Sequence, residues 1–380
     1  MIPLLSRAGA QCLRAGRPGL RSTSRVIPLR PVRSTLTSTL RYNSSIPPPP
    51  TPPPGLTSEL VEPAVSRPIA PPSIIDKIVP KWAEGVKPYL HLIRIDKPIG
   101  SLLLFWPGAW GITLASSVHH LPPSTPAYLL GLFAVGSVVM RGAGCIVNDM
   151  WDAKYDRAVE RTRWRPLAAG DVTQFQALTW LGVQLSIGLA ILTQLNTYTI
   201  GLGVGSLALV TIYPYMKRIT YYPQIVFGST FMWAIFMGWS AAAGSVDWAM
   251  AAPLYVGGIA YGVMYDCIYA HQDKVDDVKA GVKSIALAFP DNSRALISTL
   301  SAGFVSTLAL TGHLAGLGPL YYAISVLGTG AHLAWQCATV DFNSRADCWK
   351  KFCSNGYLGG LIWLGMAADY VQNVWIPGLY

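Results

Sequence analysis

Two groups of acidic residues stand at the ends of apolar segments in a chain of which only 13% is charged. The first is Asn148-Asp149-Met150-Trp151-Asp152-Ala153-Lys154-Tyr155-Asp156, and the second is Asp266 followed by Asp273-Lys274-Val275-Asp276-Asp277. At about 100° per helical residue, Asn148, Asp149, Asp152 and Asp156 fall within an arc of about 100°, and a continuous helix puts Asp266, Asp273, Asp276 and Asp277 in an arc of similar width. Carboxylates crowded on one face repel one another and resist dehydration, so a chain that sets them beside hydrocarbon neutralises them with cations. Hard oxygen ligands without a His or Cys partner point to Mg²⁺, and Mg²⁺ between carboxylates points to a phosphate substrate. Two opposed carboxylate faces can hold two Mg²⁺ ions that bridge a diphosphate and stabilise its charge as it leaves. Neither group contains a Ser/His/Asp or Cys/His arrangement for covalent catalysis, and GxxxxGK[ST], the P-loop pattern, is absent.

The elements that position these groups are membrane spans. A chain with 51% hydrophobic residues and a mean hydropathy of +0.36 is too apolar for a soluble domain of 380 residues. Nine apolar segments read as spans: 99–118, 127–147, 175–195, 199–215, 225–244, 249–269, 295–314, 316–337 and 355–374. The expected fold is therefore an all-α polytopic membrane bundle with the lipid bilayer as its solvent.

The first 58 residues differ in kind, with eight Arg, many Ser and Thr, and no acid before Glu59. That composition predicts a mitochondrial transit peptide over residues 1–45. The run 47–54, seven Pro and one Thr, predicts a stiff, unpacked linker over 46–75, which leaves the membrane domain at 76–380. Subtracting the eight Arg from the formal charge of +10 leaves +2, so the basic balance belongs largely to the leader and implies no nucleic-acid partner. The six Cys form no CxxC pair and read as free thiols.

With nine spans, the N-terminal segment and the connections after the even-numbered spans share one side. Twenty of the 21 Lys and Arg after position 58 fall on that side, and the opposite connections carry none. The positive-inside rule, combined with a mitochondrial leader, places the charged side in the matrix of a multi-pass inner-membrane protein. Both acidic groups follow even-numbered spans, the second and the sixth, so they share this face. The remaining basic residue, Arg141, lies inside the second span about two turns before Asn148, and an intramembrane Arg marks either a functional site or a buried ion pair.

Basic residues flank both acidic groups. Arg161, Arg163 and Arg165 follow the first, Lys279 and Lys283 follow the second, and Lys217 and Arg218 end the fourth span. Each suits the grip of diphosphate oxygens, as it also suits an ordinary positive membrane surface. Arg94 and Lys97, before the first span, are placed either to attract a small anion or to snorkel at the interface.

These residues resemble the UbiA superfamily of intramembrane prenyltransferases. Gly144 through Asp156 looks like the family's NDxxDxxxD motif, and Tyr265-Asp266 through Asp277 looks like its second Asp-rich motif. Residues 92–106 (LIRIDKPIGSLLLFW), 213–224 (YPYMKRITYYPQ) and 265–284 (YDCIYAHQDKVDDVKAGVKS) resemble the branch that prenylates 4-hydroxybenzoate. The resemblance covers the chain from about Tyr89 onward. It implies a bundle of nine transmembrane helices around a central cavity open to lipid. It also implies that Asn148, Asp149, Asp152, Asp156, Asp273 and Asp277 hold Mg²⁺, with Asp152, Asp156, Asp273 and Asp277 catalytic. Lys217, Arg218, Lys279 and Lys283 would contact diphosphate, and Arg94 and Arg141 the carboxylate of the benzoate. The implied reaction joins a polyprenyl diphosphate to 4-hydroxybenzoate, ortho to its hydroxyl, in ubiquinone biosynthesis, alongside other proteins of that route.

Three other readings compete with this one, and the weakest, a structural membrane subunit, leaves the eight Asp and Asn positions without purpose. A UbiA-type enzyme with another acceptor, such as haem, disagrees with the YDxxYAxQDxxDD-like pattern from Tyr265. A divalent-cation carrier would also need intramembrane carboxylates, yet the Lys and Arg beside both groups oppose cation passage and suit a diphosphate.

Overall fold

The computed structural model describes residues 73–158, 162–274 and 283–377. The expected leader and most of the linker lie outside these residues, as do Arg161, Asp276, Asp277, Lys279 and the side chains of Lys217 and Arg218.

Helix is the only regular structure among the described residues. The long stretches are α1 (Ile99–Val118), α2 (Ser124–Ala158), α3 (Gln174–Leu192), α4 (Thr197–Ile219), α5 (Pro223–Ala243), α6 (Trp248–Ala270), α7 (Ser293–Leu314), α8 (residues 319–339) and α9 (Arg345–Tyr370). Each of the nine apolar segments of the sequence coincides with one of them. Five, α1, α2, α3, α5 and α7, are long and apolar enough to cross a membrane, and α4 has a shorter apolar stretch, Thr197–Ile212. The Gly and Tyr residues of α6 and the polar first turns of α9 dilute their hydropathy, while α8 passes through a π-helical turn at Tyr322–Leu327. Three short pieces precede α1: Ile74–Ile78, a 3₁₀ turn at Lys81–Val86, and Lys87–Leu92.

Local sequence sets the helix starts. Thr173 and Gln176 form a capping box at α3, Asn196 accepts from the Thr199 N–H at α4, and Asp247 accepts from the N–H groups of Ala249 and Met250 at α6. The connections 119–123, 193–196 and 244–247 are short, whereas 159–173 and 271–292, next to the two acidic groups, are the long ones.

The core is aromatic and gathers around α1, α5, α6, α7 and α9. Trp110, Trp239, Tyr261, Tyr265, Phe304 and Tyr321 are fully buried, and Tyr261 stacks on Phe304 with ring centroids 4.7 Å apart. Two glycines let α1 and α5 touch backbone to backbone: a Cβ on Gly111 would collide with the Ile235 carbonyl, and one on Gly238 with the Gly108 carbonyl. Helix α1 is thus central, with 61% of its apolar window buried, and α3 is peripheral, with 11% buried. A second, smaller cluster of Leu92, Ile146, Ala153, Leu167, Val172 and Ala177 packs the segment before α1 and the connection after α2 onto the end of α2.

Candidate active site

Helix α2 has 35 residues, roughly 50 Å at about 1.5 Å per residue, against about 30 Å of hydrocarbon. Its last eleven residues, 148–158, carry the first acidic group. Around the helix axis the order across the acidic arc is Asn148, Asp152, Asp156, Asp149, and the structure divides this arc in two. Asn148 and Asp152, at one edge, are exposed, while Asp156 and Asp149, at the other, are 7% and 2% exposed.

The buried edge is held by two arginines. Arg94 donates through Nη2 to both carboxylate oxygens of Asp149, at 2.9 and 2.8 Å, and through Nη1 to the His91 carbonyl at 2.7 Å. Arg165 donates through Nη1 to Asp149 at 3.2 Å and to both oxygens of Asp156, at 3.1 and 2.9 Å. Arg94 adopts a left-handed backbone with φ 58°, a conformation that costs a non-glycine residue about 1–3 kcal/mol and that this web of bonds sustains. Further links join the same segments. Thr162 Oγ1 donates to the Asp156 carbonyl at 3.1 Å, Arg157 Nε to the Ala168 carbonyl at 3.1 Å, and Lys97 lies 5.1 Å over the Trp164 ring. The sequence offered Arg165 as a diphosphate grip and Arg94 as a benzoate contact, but here both face the Asp-rich helix. The i, i+7 spacing of Asp149 and Asp156, which gives one side chain access to both, was the signal available for this arrangement.

Arg141 is half-buried, one helical repeat before Asn148, and its guanidinium lies over Gly100 so closely that a Cβ there would collide with Nε. Arg141 Nε is buried and finds no acceptor among the described residues.

The second acidic group corrects one expectation. Helix α6 ends at Ala270, and bonds from Gln272 N–H to Tyr269 O (3.0 Å) and Asp273 N–H to Ala270 O (3.2 Å) turn the chain there. Asp266, on the helix, and Asp273, in the turn, therefore do not share one continuous helical face. His271 anchors the turn: Ser293 Oγ donates to the Phe289 carbonyl at 2.5 Å, so the His271 Nε2–H donates to Ser293 Oγ at 2.8 Å. Burial, with Lys274 adding, pulls the His271 pKa down to about 4, so the ring is neutral at physiological pH. Lys274 Nζ in turn donates to Phe342 O at 3.1 Å and Asn343 Oδ1 at 2.8 Å. Lys283 reaches the end of α4, donating to Ile219 O at 3.4 Å with its ammonium 5.2 Å over the Tyr221 ring, which places it by the backbone that carries Lys217 and Arg218. His271 and Ser293 were not singled out in the sequence, where nothing links positions 22 residues apart.

Among the described residues no three His, Cys, Asp or Glu side chains converge as a closed metal cage. Mg²⁺ does not require one, because it binds through one or two carboxylates and completes its shell with water and substrate phosphate. The exposed pair Asn148 and Asp152, all-oxygen and on the open edge of α2, fits that use.

Comparison with known proteins agrees with this architecture. The sequence model of the UbiA prenyltransferase family matches residues 104–364. The chain is 48% identical over 281 residues to the mitochondrial 4-hydroxybenzoate polyprenyltransferase of Rattus norvegicus, covering 74% of each chain. It is 46% identical over 298 residues to the Homo sapiens protein of the same name, covering 78% of each. Among solved structures, a UbiA homolog from Aeropyrum pernix in its apo form aligns with TM-score 0.58 at 24% identity, over 70% of this chain and 97% of that one. One from Archaeoglobus fulgidus bound to GPP and Mg²⁺ aligns with TM-score 0.54 at 17% identity, over 74% and 99%. The chain belongs to the UbiA prenyltransferase family.

Proposed function

We propose that this chain transfers a polyprenyl group from polyprenyl diphosphate to the ring carbon of 4-hydroxybenzoate ortho to its hydroxyl, releasing diphosphate, in mitochondrial ubiquinone biosynthesis. The carrying observation is the divided acidic end of α2, which offers Asn148 and Asp152 on the open edge with Arg141 half-buried on the same helix. The named relatives at 46% and 48% identity support the acceptor and the compartment.

Asn148, Asp152, Asp273 and, outside the described residues, Asp277 are the residues that would hold Mg²⁺. When bound, Mg²⁺ supplies positive charge to the diphosphate oxygens. Lys217, Arg218, Lys279 and Lys283 add cations for the leaving diphosphate. Arg141 receives the carboxylate of 4-hydroxybenzoate and so points the phenol end of the ring toward the acidic groups. The allylic C–O bond breaks with its electron pair leaving on the diphosphate, the electron-rich ring carbon forms the new C–C bond to the allylic carbon, and the ring proton passes to the released diphosphate, restoring aromaticity. The aromatic core around α1, α5, α6, α7 and α9 would keep out the water that otherwise quenches the allylic cation. Purified protein in lipid is expected to join labelled polyprenyl diphosphate to 4-hydroxybenzoate and to leave haem unprenylated; the opposite preference would replace the acceptor assigned here.

We further infer that all nine long helices cross the inner membrane around a cavity open to lipid, with the acidic groups on the matrix side. The 20-to-none division of basic residues supports this sidedness. A single Cys placed in the 119–123 connection of a Cys-free variant is expected to react with an impermeant maleimide added outside mitoplasts, and one at Arg163 is expected to stay protected. Reversed labelling would overturn the orientation.

A further inference from the structure

We infer that Arg94 and Arg165 are positioning residues for the transfer, and that they hold Asp149 and Asp156 as a neutral clamp behind Asn148 and Asp152. The NDxxDxxxD segment then contributes one metal-facing edge rather than four oxygen ligands. This inference rests on the proposed function and assigns the motif's residues within it.

Four observations carry it. Both oxygens of Asp149 are taken up by Arg94, and one of them also by Arg165, on a side chain 2% exposed. A carboxylate so engaged has little lone-pair capacity left for a cation. Among the described residues two guanidinium groups face two carboxylates, so their charges balance and add no repulsion against the diphosphate. The strained φ of Arg94 fixes where its fork points. The clamp also ties three segments together: the turn before α1, the end of α2 and residues 162–165 after it, all seated on the small Leu92–Ile146–Leu167 cluster. Through these ties the arginines set the rotation of the α2 end, and with it the direction of Asn148 and Asp152. A misplacement of about 1 Å in such a constellation costs up to about a hundredfold in rate.

The test uses the full chain in lipid and two readouts. The first is binding of Mn²⁺ with inorganic diphosphate, followed by electron paramagnetic resonance of the free ion. The second is steady-state kinetics against both substrates. Arg94→Lys, Arg94→Ala, Arg165→Ala and Asp149→Asn are compared with Asp152→Asn. The Lys and Asn variants preserve size where alanine might not fold. The clamp predicts that Asp149→Asn binds as many Mn²⁺ ions as the unaltered chain, about tenfold more weakly, whereas Asp152→Asn binds fewer. It predicts kcat lowered roughly 10- to 100-fold in the clamp variants, with KM for 4-hydroxybenzoate within about twofold. Arg94→Lys falls with Arg94→Ala, since lysine keeps the charge but not the fork. The Arg94→Ala/Asp149→Asn double variant loses no more than the worse single one. Fewer bound ions in Asp149→Asn with unchanged Mn²⁺ binding in both arginine variants would make Asp149 a metal ligand and overturn the clamp. So would a rise confined to the KM for 4-hydroxybenzoate in Arg94→Ala, which would put Arg94 on the acceptor. The Mn²⁺ readout needs no acceptor, so an error in the acceptor assignment would leave this test intact.

Discussion

Asp152→Asn is expected to lower kcat by at least about a hundredfold while the protein accumulates normally and melts at the same temperature in detergent. The reason is electrostatic. Asp152 stands at the exposed edge of α2, and its replacement keeps the side chain's size while removing the negative oxygen through which positive charge is held against the diphosphate. Stabilisation of this kind is worth several kcal/mol, and each 1.36 kcal/mol is about tenfold in rate. Asp273→Asn is expected to act in the same direction from the other side. Membrane-fraction activity at saturating Mg²⁺, normalised to protein by immunoblot, reads the effect. Full activity in Asp152→Asn would remove the first acidic group from the chemistry.

The second large effect is expected at Arg141. Its Nε is buried without an acceptor among the described residues, so the side chain retains hydrogen-bonding capacity that a substrate carboxylate would use. A charge-assisted pair contributes about 1.5–3 kcal/mol, so Arg141→Ala is expected to raise the KM for 4-hydroxybenzoate roughly 10- to 100-fold and to leave that for polyprenyl diphosphate little changed. Gly100→Val is expected to imitate it in part, because the new side chain displaces the guanidinium from its seat on α1. An equal loss for both substrates would assign Arg141 to the scaffold.

The long helices were legible because each coincides with an apolar segment between polar ones, and a helix that must satisfy its own backbone in lipid leaves few alternatives. Span 99–118 coincides with α1, and the starts of α3, α4 and α6 carry capping residues visible in the sequence. The residue types of the site were legible too, because carboxylates are rare in such a chain. Their facing was only partly so. Helical phase put Asp149 and Asp156 within about 20° of each other, but only the tertiary fold brings Arg94 and Arg165 to that edge, across 55 and 16 residues from Asp149. Asp266 was misphased relative to Asp273 because the helix stops at Ala270, where the tertiary bond from His271 to Ser293 sustains a turn that periodicity does not register.

Transfer of the kind proposed forms a carbon–carbon bond between a polyprenyl chain and 4-hydroxybenzoate. Its most direct test is the structure of the product made by the purified protein in lipid from polyprenyl diphosphate, 4-hydroxybenzoate and Mg²⁺, with released diphosphate counted in parallel. The expected product is a ring-prenylated benzoate substituted ortho to the hydroxyl, with one diphosphate per product and none of either when Mg²⁺ is chelated. A prenyl ether or ester, free polyprenol alone, or undiminished product under chelation would contradict it.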